Sequence, residues 1–221
     1  MNCAARGQFI TFEGGEGTGK STQIQRAAAY LRAQNIPVEV VREPGGTPEG
    51  EVLRDLWKNP PCATLWDPPT EAFLLFTARR ILLCRVIWPC IQQGTWVLCD
   101  RFYDSTLVYQ GMLGGADIEK LMQLKYLTMG DFEPDLTLLF DVPTSTALQR
   151  LAQRKDARHD GVVRYDTMAR EQHEKVRQAY LRLAEIFSFR VRLVKARASA
   201  DAVAQAVQAI LATHKEALCA L

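Results

Sequence analysis

Eight consecutive residues constrain this chain more than any others: Gly14-Gly15-Glu16-Gly17-Thr18-Gly19-Lys20-Ser21, which match the pattern G-x-x-x-x-G-K-[ST]. Backbone N–H groups converge on an anion only where the chain can take unusual angles, and glycine supplies them. The flanks agree with that use. Phe9-Ile10-Thr11-Phe12 reads as an apolar strand, and the residues from about Gly19 to Gln34 carry Ile24, Ala27, Ala28 and Leu31 at helical spacing. Strand, glycine turn and helix N-terminus in that order make a phosphate cradle. Lys20 is placed to reach the β- and γ-phosphates of a nucleoside triphosphate, and Ser21 to ligate Mg²⁺. Gly14, Gly15, Glu16, Gly17, Thr18, Gly19 and Thr22 complete the donor-nucleotide set. The pattern points to nucleotide binding and leaves the acceptor open.

Four more strands follow at intervals: Pro37–Val41, Trp96–Cys99, Leu136–Phe140 and Val191–Val194. Helical patterns separate them, at Gly50–Trp57, Glu71–Gln93 with Thr70 as its N-cap, Ser105–Tyr109, Ala116–Thr128, and Thr144–Arg154. A long helix then runs to about Phe187, and Asp201–Ala212 is the last. Strands alternating with helices predict an α/β fold of three layers, with a five-stranded parallel sheet covered on both faces. The 221 residues fit one domain, 1–221, with no internal repeat. The charged residues Lys155–Asp166 read as a moving insertion within a lid at about 150–166.

Composition removes several alternatives. The net charge of +2 is no polybasic nucleic-acid surface. Cys3, Cys62, Cys84, Cys90, Cys99 and Cys219 form no C-x-x-C pair. They read as reduced, mostly buried thiols of a cytoplasmic protein. Met1–Gly7 has no apolar signal core. Arg79, Arg80 and Arg85 interrupt the segment nearest to a membrane span, Ala72–Pro89.

Four further segments carry a resemblance. They are Arg42-Glu43-Pro44-Gly45-Gly46-Thr47; Asp100-Arg101-Phe102-Tyr103-Asp104-Ser105-Thr106 with Tyr109-Gln110-Gly111; Pro134-Asp135-Leu136-Thr137 through Asp141-Val142; and Ala179-Tyr180-Leu181 with Leu183-Ala184. In this order and spacing the chain resembles the thymidylate kinases of bacterial type, within the P-loop nucleoside monophosphate kinases. The resemblance implies a P-loop NTPase fold with a helical lid, ATP as donor, dTMP as acceptor, Mg²⁺ as cofactor and a homodimer.

The resemblance and the chemistry together suggest residue roles. Two polyanions must meet, so cations must neutralise them. Arg42 and Arg101 are the expected grips on the acceptor phosphate, because a guanidinium offers a bidentate fork. Asp100 is expected to orient Mg²⁺ or its waters, beside Ser21. Glu16 is implied at the acceptor's 3′-hydroxyl and at Arg101. Some family members carry a catalytic arginine where this chain has Gly17, so the cation is expected from the lid, with Arg154 and Arg158 preferred and Arg150 stacked on adenine. Lys155 and Arg164 lie in the same stretch.

For the thymine pocket, the count from Glu71 and Pro89 selects Arg79 as base reader and places Leu75 where the family has Phe. The count from the aromatic selects Phe76 with Arg80. Arg79 is preferred, with Phe76 as the ring against the base. Ser105 and Thr106 belong to the same acceptor set, Thr106 on the base edge, and Tyr109 lies against the sugar. Lys195-Ala196 stands where the family has Asp-Ala, in a loop that touches adenine. Two other readings stay open: a kinase for UMP, CMP or a deoxynucleoside, and a P-loop nucleotide switch. A switch needs a water-positioning residue, which the sequence does not show.

Overall fold

The computed structural model describes residues 6–61, 66–157 and 169–219, with the backbone alone for 154–157 and 219. Cys3, Cys62, Arg158 and Arg164, and the side chains of Arg154, Lys155 and Cys219, lie outside that description.

The five expected strands form, each extended by a residue at its C-terminal end: β1 Phe9–Glu13, β2 Val38–Arg42, β3 Trp96–Asp100, β4 Leu136–Asp141 and β5 Val191–Lys195. All pairings are parallel, in the order β2-β3-β1-β4-β5. β1 is central and wholly buried, which is why it reads as a continuous apolar run rather than an alternating one. Its residues still alternate in direction. Ile10 and Phe12 enter a core shared with α1 (Lys20–Ala33) and α9 (Ala200–Cys219), through Ile24, Leu31, Val207 and Leu211. Phe9 enters the opposite core with Val97 and Cys99, beneath α3 (Pro68–Leu82) and α8 (Arg170–Ile186). By the period of two, Glu13 points to that second side.

The remaining helices are α2 Pro48–Lys58, α4 Trp88–Gln92, α5 Tyr103–Thr106, α6 Ile118–Met129 and α7 Thr144–Ala157. The expected unbroken helix Glu71–Gln93 is three pieces. The N-cap is Asp67, whose carboxylate accepts from Thr70 N at 2.9 Å, so Thr70 lies inside the first turn. Leu83–Ile87 is a π-helical stretch just before Pro89, which cannot donate to the preceding turn. A second π-helical stretch, Leu107–Leu113, continues α5 and carries Tyr109 and Gln110. α9 runs past the expected Ala212 to Cys219. Of the described cysteines only Cys99 is buried, and Cys84 is exposed; both thiols and Cys90 are free.

Candidate active site

The glycine loop sits where expected, between the end of β1 and the start of α1. Lys20 is buried and folds over the loop, donating to Gly14 O and Gly15 O at 2.8 Å each. Thr18 Oγ1 donates to Gly15 O at 2.9 Å. Burial lowers the Lys20 ammonium to about 8, helped by Arg101 and opposed by Glu16, Asp100 and Glu13. Position 17 admits no side chain: its φ is +74°, and an added Cβ would lie 2.5 Å from the Ala147 carbonyl oxygen on α7. A catalytic arginine at position 17 is therefore sterically closed to this chain.

Parallel pairing sets Asp100 beside both Phe12 and Arg42. Ser21 Oγ donates to Asp100 Oδ2 at 3.1 Å, which joins the two metal candidates. Among the described residues no cluster of three His, Cys, Asp or Glu side chains could hold a metal alone. Two hard oxygen donors beside a phosphate site still suit Mg²⁺, which keeps waters and takes phosphate oxygens as further ligands. Arg150 donates to the Ala196 carbonyl at 3.0 Å, and an added Cβ on Gly19 would stand 4.0 Å from its Nη1. It thus spans the cradle and the loop after β5. Thr22 is exposed on the first turn of α1 and does not border the cavity described next.

A cavity of about 320 Å³ opens beside Lys20, Ser21 and Asp100. Four arginines border it: Arg42, Arg54, Arg79 and Arg101. Arg101 has φ +72° and pairs with Glu16 through Nη2. Its guanidinium lies 5.4 Å from the Tyr109 ring centroid. Arg42 lines the cavity, but its Nη2 is engaged by both Glu51 carboxylate oxygens at 2.9 Å. Arg54, on the same face of α2 as Trp57, reaches the cavity with Nη1 held by the Pro44 carbonyl at 2.8 Å.

The structure separates Arg79 from Arg80. Arg79 lines the cavity; it donates from Nε to Glu43 Oε2 at 2.7 Å and from Nη2 to Thr106 Oγ1 at 3.1 Å. Its Nη1 has no hydrogen-bond partner among the described residues. Arg80 is exposed, donates to the Thr128 carbonyl and covers Trp88. The expected role of Phe76 is corrected. Phe76 is 1% exposed, packs 4.6 Å beneath the Arg79 guanidinium and does not border the cavity; Leu75 does. One residue is 100° on a helix, and Leu75 stands four before Arg79 on the same face.

Ser105, Thr106 and Tyr109 all border the cavity as expected. Arg54, Trp57 and Gln110 border it without having been singled out for the site, and Leu75 borders it at the position that the count to Arg79 gave it. The spacing Gly50, Arg54, Trp57 would have placed Arg54 on the buried face of α2. Glu43 is buried at the cavity wall, and Glu13 is buried behind it, accepting from Ser105; burial lifts each carboxyl to about 7.

The thymidylate kinase family model matches residues 12–207. The thymidylate kinase of Alkalilimnicola ehrlichii is 43% identical over 211 residues, covering 94% of each chain. That of Caulobacter vibrioides is 42% identical over 206 residues, covering 93% of this chain and 96% of its own. The crystal structure of thymidylate kinase from Ehrlichia chaffeensis superposes with a TM-score of 0.71 at 30% identity, over 93% of this chain and 99% of that one. With the P-loop cradle, the five-stranded parallel sheet and these matches in register along nearly its whole length, the chain belongs to the thymidylate kinase family.

Proposed function

We propose that this chain, acting as one domain, transfers the γ-phosphoryl group of ATP to dTMP and releases dTDP and ADP. The observation that carries this reading is a single cavity bordered by both the triphosphate cradle (Lys20, Ser21, Asp100) and the arginines Arg54, Arg79 and Arg101. A cavity of this size suits a small ligand held by a few placed polar groups. The acceptor phosphate is already anionic, so the reaction needs no strong base. It needs positioning and charge neutralisation.

In this reading Arg101, with Arg54 and Arg42, holds the acceptor phosphate, and Lys20 holds the donor's. Mg²⁺, bound through Ser21 and Asp100, would neutralise phosphate charge. Arg79, which borders the cavity, is the proposed reader of the thymine edge, with Leu75 against the base and Thr106 behind the arginine. Tyr109 lies against the sugar, and Glu16 serves its 3′-hydroxyl while tethering Arg101. Arg150 covers adenine. The closed position 17 leaves the remaining cation to the lid, where the sequence supplies Arg154 and Arg158. A homodimer is supported by Phe73, Tyr126 and Leu127, large apolar side chains exposed on α3 and α6. Among the described residues no helix is long and apolar enough to cross a membrane.

The test is ADP release in a coupled assay, with dTMP, dUMP, UMP, CMP and thymidine offered separately with ATP and Mg²⁺. Fastest turnover with dTMP is expected. A preference for UMP, CMP or thymidine would replace the acceptor, and ADP release independent of any acceptor would favour a switch.

A further inference from the structure

We propose that Tyr180 is a positioning residue for phosphoryl transfer, its buried hydroxyl acting with Ser105 and Glu13 to hold the guanidinium of Arg101 toward the acceptor phosphate. This rests on the reading of the cavity given above.

Tyr180 is 79 positions beyond Arg101 in sequence, on α8, and is 2% exposed. The neighbouring turns of α8 bury Val176 and Leu183, which are plain core. A buried phenol must find a hydrogen-bond partner, and one carbonyl would suffice. This one meets three functional groups instead. Arg101 Nη1 donates to Tyr180 Oη and to Ser105 Oγ, each at 3.1 Å. The two hydroxyl oxygens are 2.8 Å apart. Glu13 Oε2 lies 2.7 Å from Ser105 Oγ and 3.1 Å from Tyr180 Oη. Its other oxygen accepts from Phe102 N at 2.7 Å.

The protons can be placed. Each hydroxyl has one hydrogen. Ser105 gives its own to Glu13, the shortest of the hydroxyl contacts. Tyr180 gives its own to Glu13 or to Ser105. Both hydroxyl oxygens then present lone pairs to Arg101 Nη1, which can only donate. Glu13 is the acceptor that turns the two hydroxyls toward the arginine. Its carboxyl is buried and raised to about 7, chiefly by desolvation, while Arg101, Ser105 and the Phe102 N–H pull the other way.

Arg101 needs such support. It follows β3 in the left-handed region, where a non-glycine residue is strained. Glu16 holds Nη2, and the Tyr109 ring lies under the plane. Without the phenol, Nη1 keeps only Ser105. The guanidinium would keep Glu16 on Nη2 but a looser hold on Nη1, and a fork aimed at a phosphate loses much of its value when its direction varies.

The test uses the full chain and compares wild type, Tyr180→Phe, Arg101→Lys and the double variant, with dTMP and ATP varied separately. Tyr180→Phe keeps the ring and its edge contact with Tyr109, whose centroid is 6.3 Å away. We expect it to lower kcat about tenfold, the scale of one hydrogen bond to a charged group, with KM for ATP within about twofold of wild type. In the Arg101→Lys background the same substitution should change kcat by less than about twofold, because lysine has no Nη1 to place. A full tenfold effect in that background would make Tyr180 merely structural and overturn the proposal. So would wild-type kcat in Tyr180→Phe. If Tyr180→Phe does not fold, Ser105→Ala in the same two backgrounds is judged by the same criterion. Wild type that turns over another acceptor but not dTMP would instead overturn the reading of the cavity, and this inference with it.

Discussion

Arg79 and Glu43 form an ion pair at 2.7 Å with side chains only 3% and 4% exposed, joining α3 to the loop after β2 at the wall of the cavity. The pair engages Nε while Thr106 holds Nη2, so the contact ties α3 to the loop and orients the proposed base reader. Removing one partner of a buried pair strands the other charge. Glu43→Ala should therefore cost about 3–5 kcal/mol of stability at pH 8. Urea denaturation of both proteins measures this, and a loss below 1 kcal/mol would show that the pair is not held as described.

Stability should depend on pH through the same carboxyl. Burial lifts Glu43 from its ordinary 4.5 to about 7, against the pull of Arg79. The native state then holds this proton more tightly than the unfolded chain. Its stabilising contribution is complete below about pH 4.5 and is lost as pH rises through about 7. Glu43→Gln removes that titration. The melting temperature of the glutamine variant should therefore gain on wild type between pH 5 and 8, and a constant difference would contradict the assignment.

The two adjacent arginines should behave differently. Arg79→Ala is expected to raise KM for dTMP at least tenfold, since it removes a buried donor to the base. Arg80→Ala should leave KM for dTMP within about twofold, because its guanidinium faces solvent and the Thr128 carbonyl. Steady-state kinetics on both variants, with ATP saturating, decide the point. Equal effects would remove Arg79 from its proposed role.

Gly17→Arg tests whether a loop cation could be restored. The positive φ and the Ala147 carbonyl at 2.5 Å both oppose any Cβ. The substitution should destabilise by about 1–3 kcal/mol and should not raise kcat. Thermal melts with turnover measured alongside would reveal the opposite outcome, a stable and faster enzyme.

Lys20→Ala should lower kcat by about 10²–10³-fold or more, the scale for losing one preorganised charge donor at a phosphoryl transfer site. Binding of dTMP, followed by calorimetry without ATP, should persist. Substantial residual turnover would contradict the assigned role of the lysine.

How much of this was legible beforehand varied with the kind of contact. The cradle is a local pattern, and its glycines, lysine and serine fold as their order dictates. The five strands announced themselves because each is a short apolar run bounded by turns. Helix interiors were less readable. Thr70 and Asp67 are both good caps, and only the hydrogen bond to Thr70 N distinguishes them. Glu71–Gln93 read as one helix through Pro89, and the π-helical turn that precedes the proline depends on packing.

By itself, then, the amino-acid order determined the parallel α/β layout, the nucleotide cradle and the family, because these rest on local spacing and on the alternation of periods two and 3.6. Tertiary structure decided which arginine faces the cavity, that Leu75 rather than Phe76 is on its wall with Arg54, and that Glu13 and Tyr180 hydrogen-bond to Ser105 beside Arg101. A one-residue error in helical phase turns a side chain by 100°, so the two counts along α3 pointed to different sides, and the preferred one, from Glu71 and Pro89, gave the arginine that lines the cavity. Residues 79 or 167 positions apart, as in the Arg101–Tyr180 and Glu13–Tyr180 contacts, meet only when the sheet and α8 have packed.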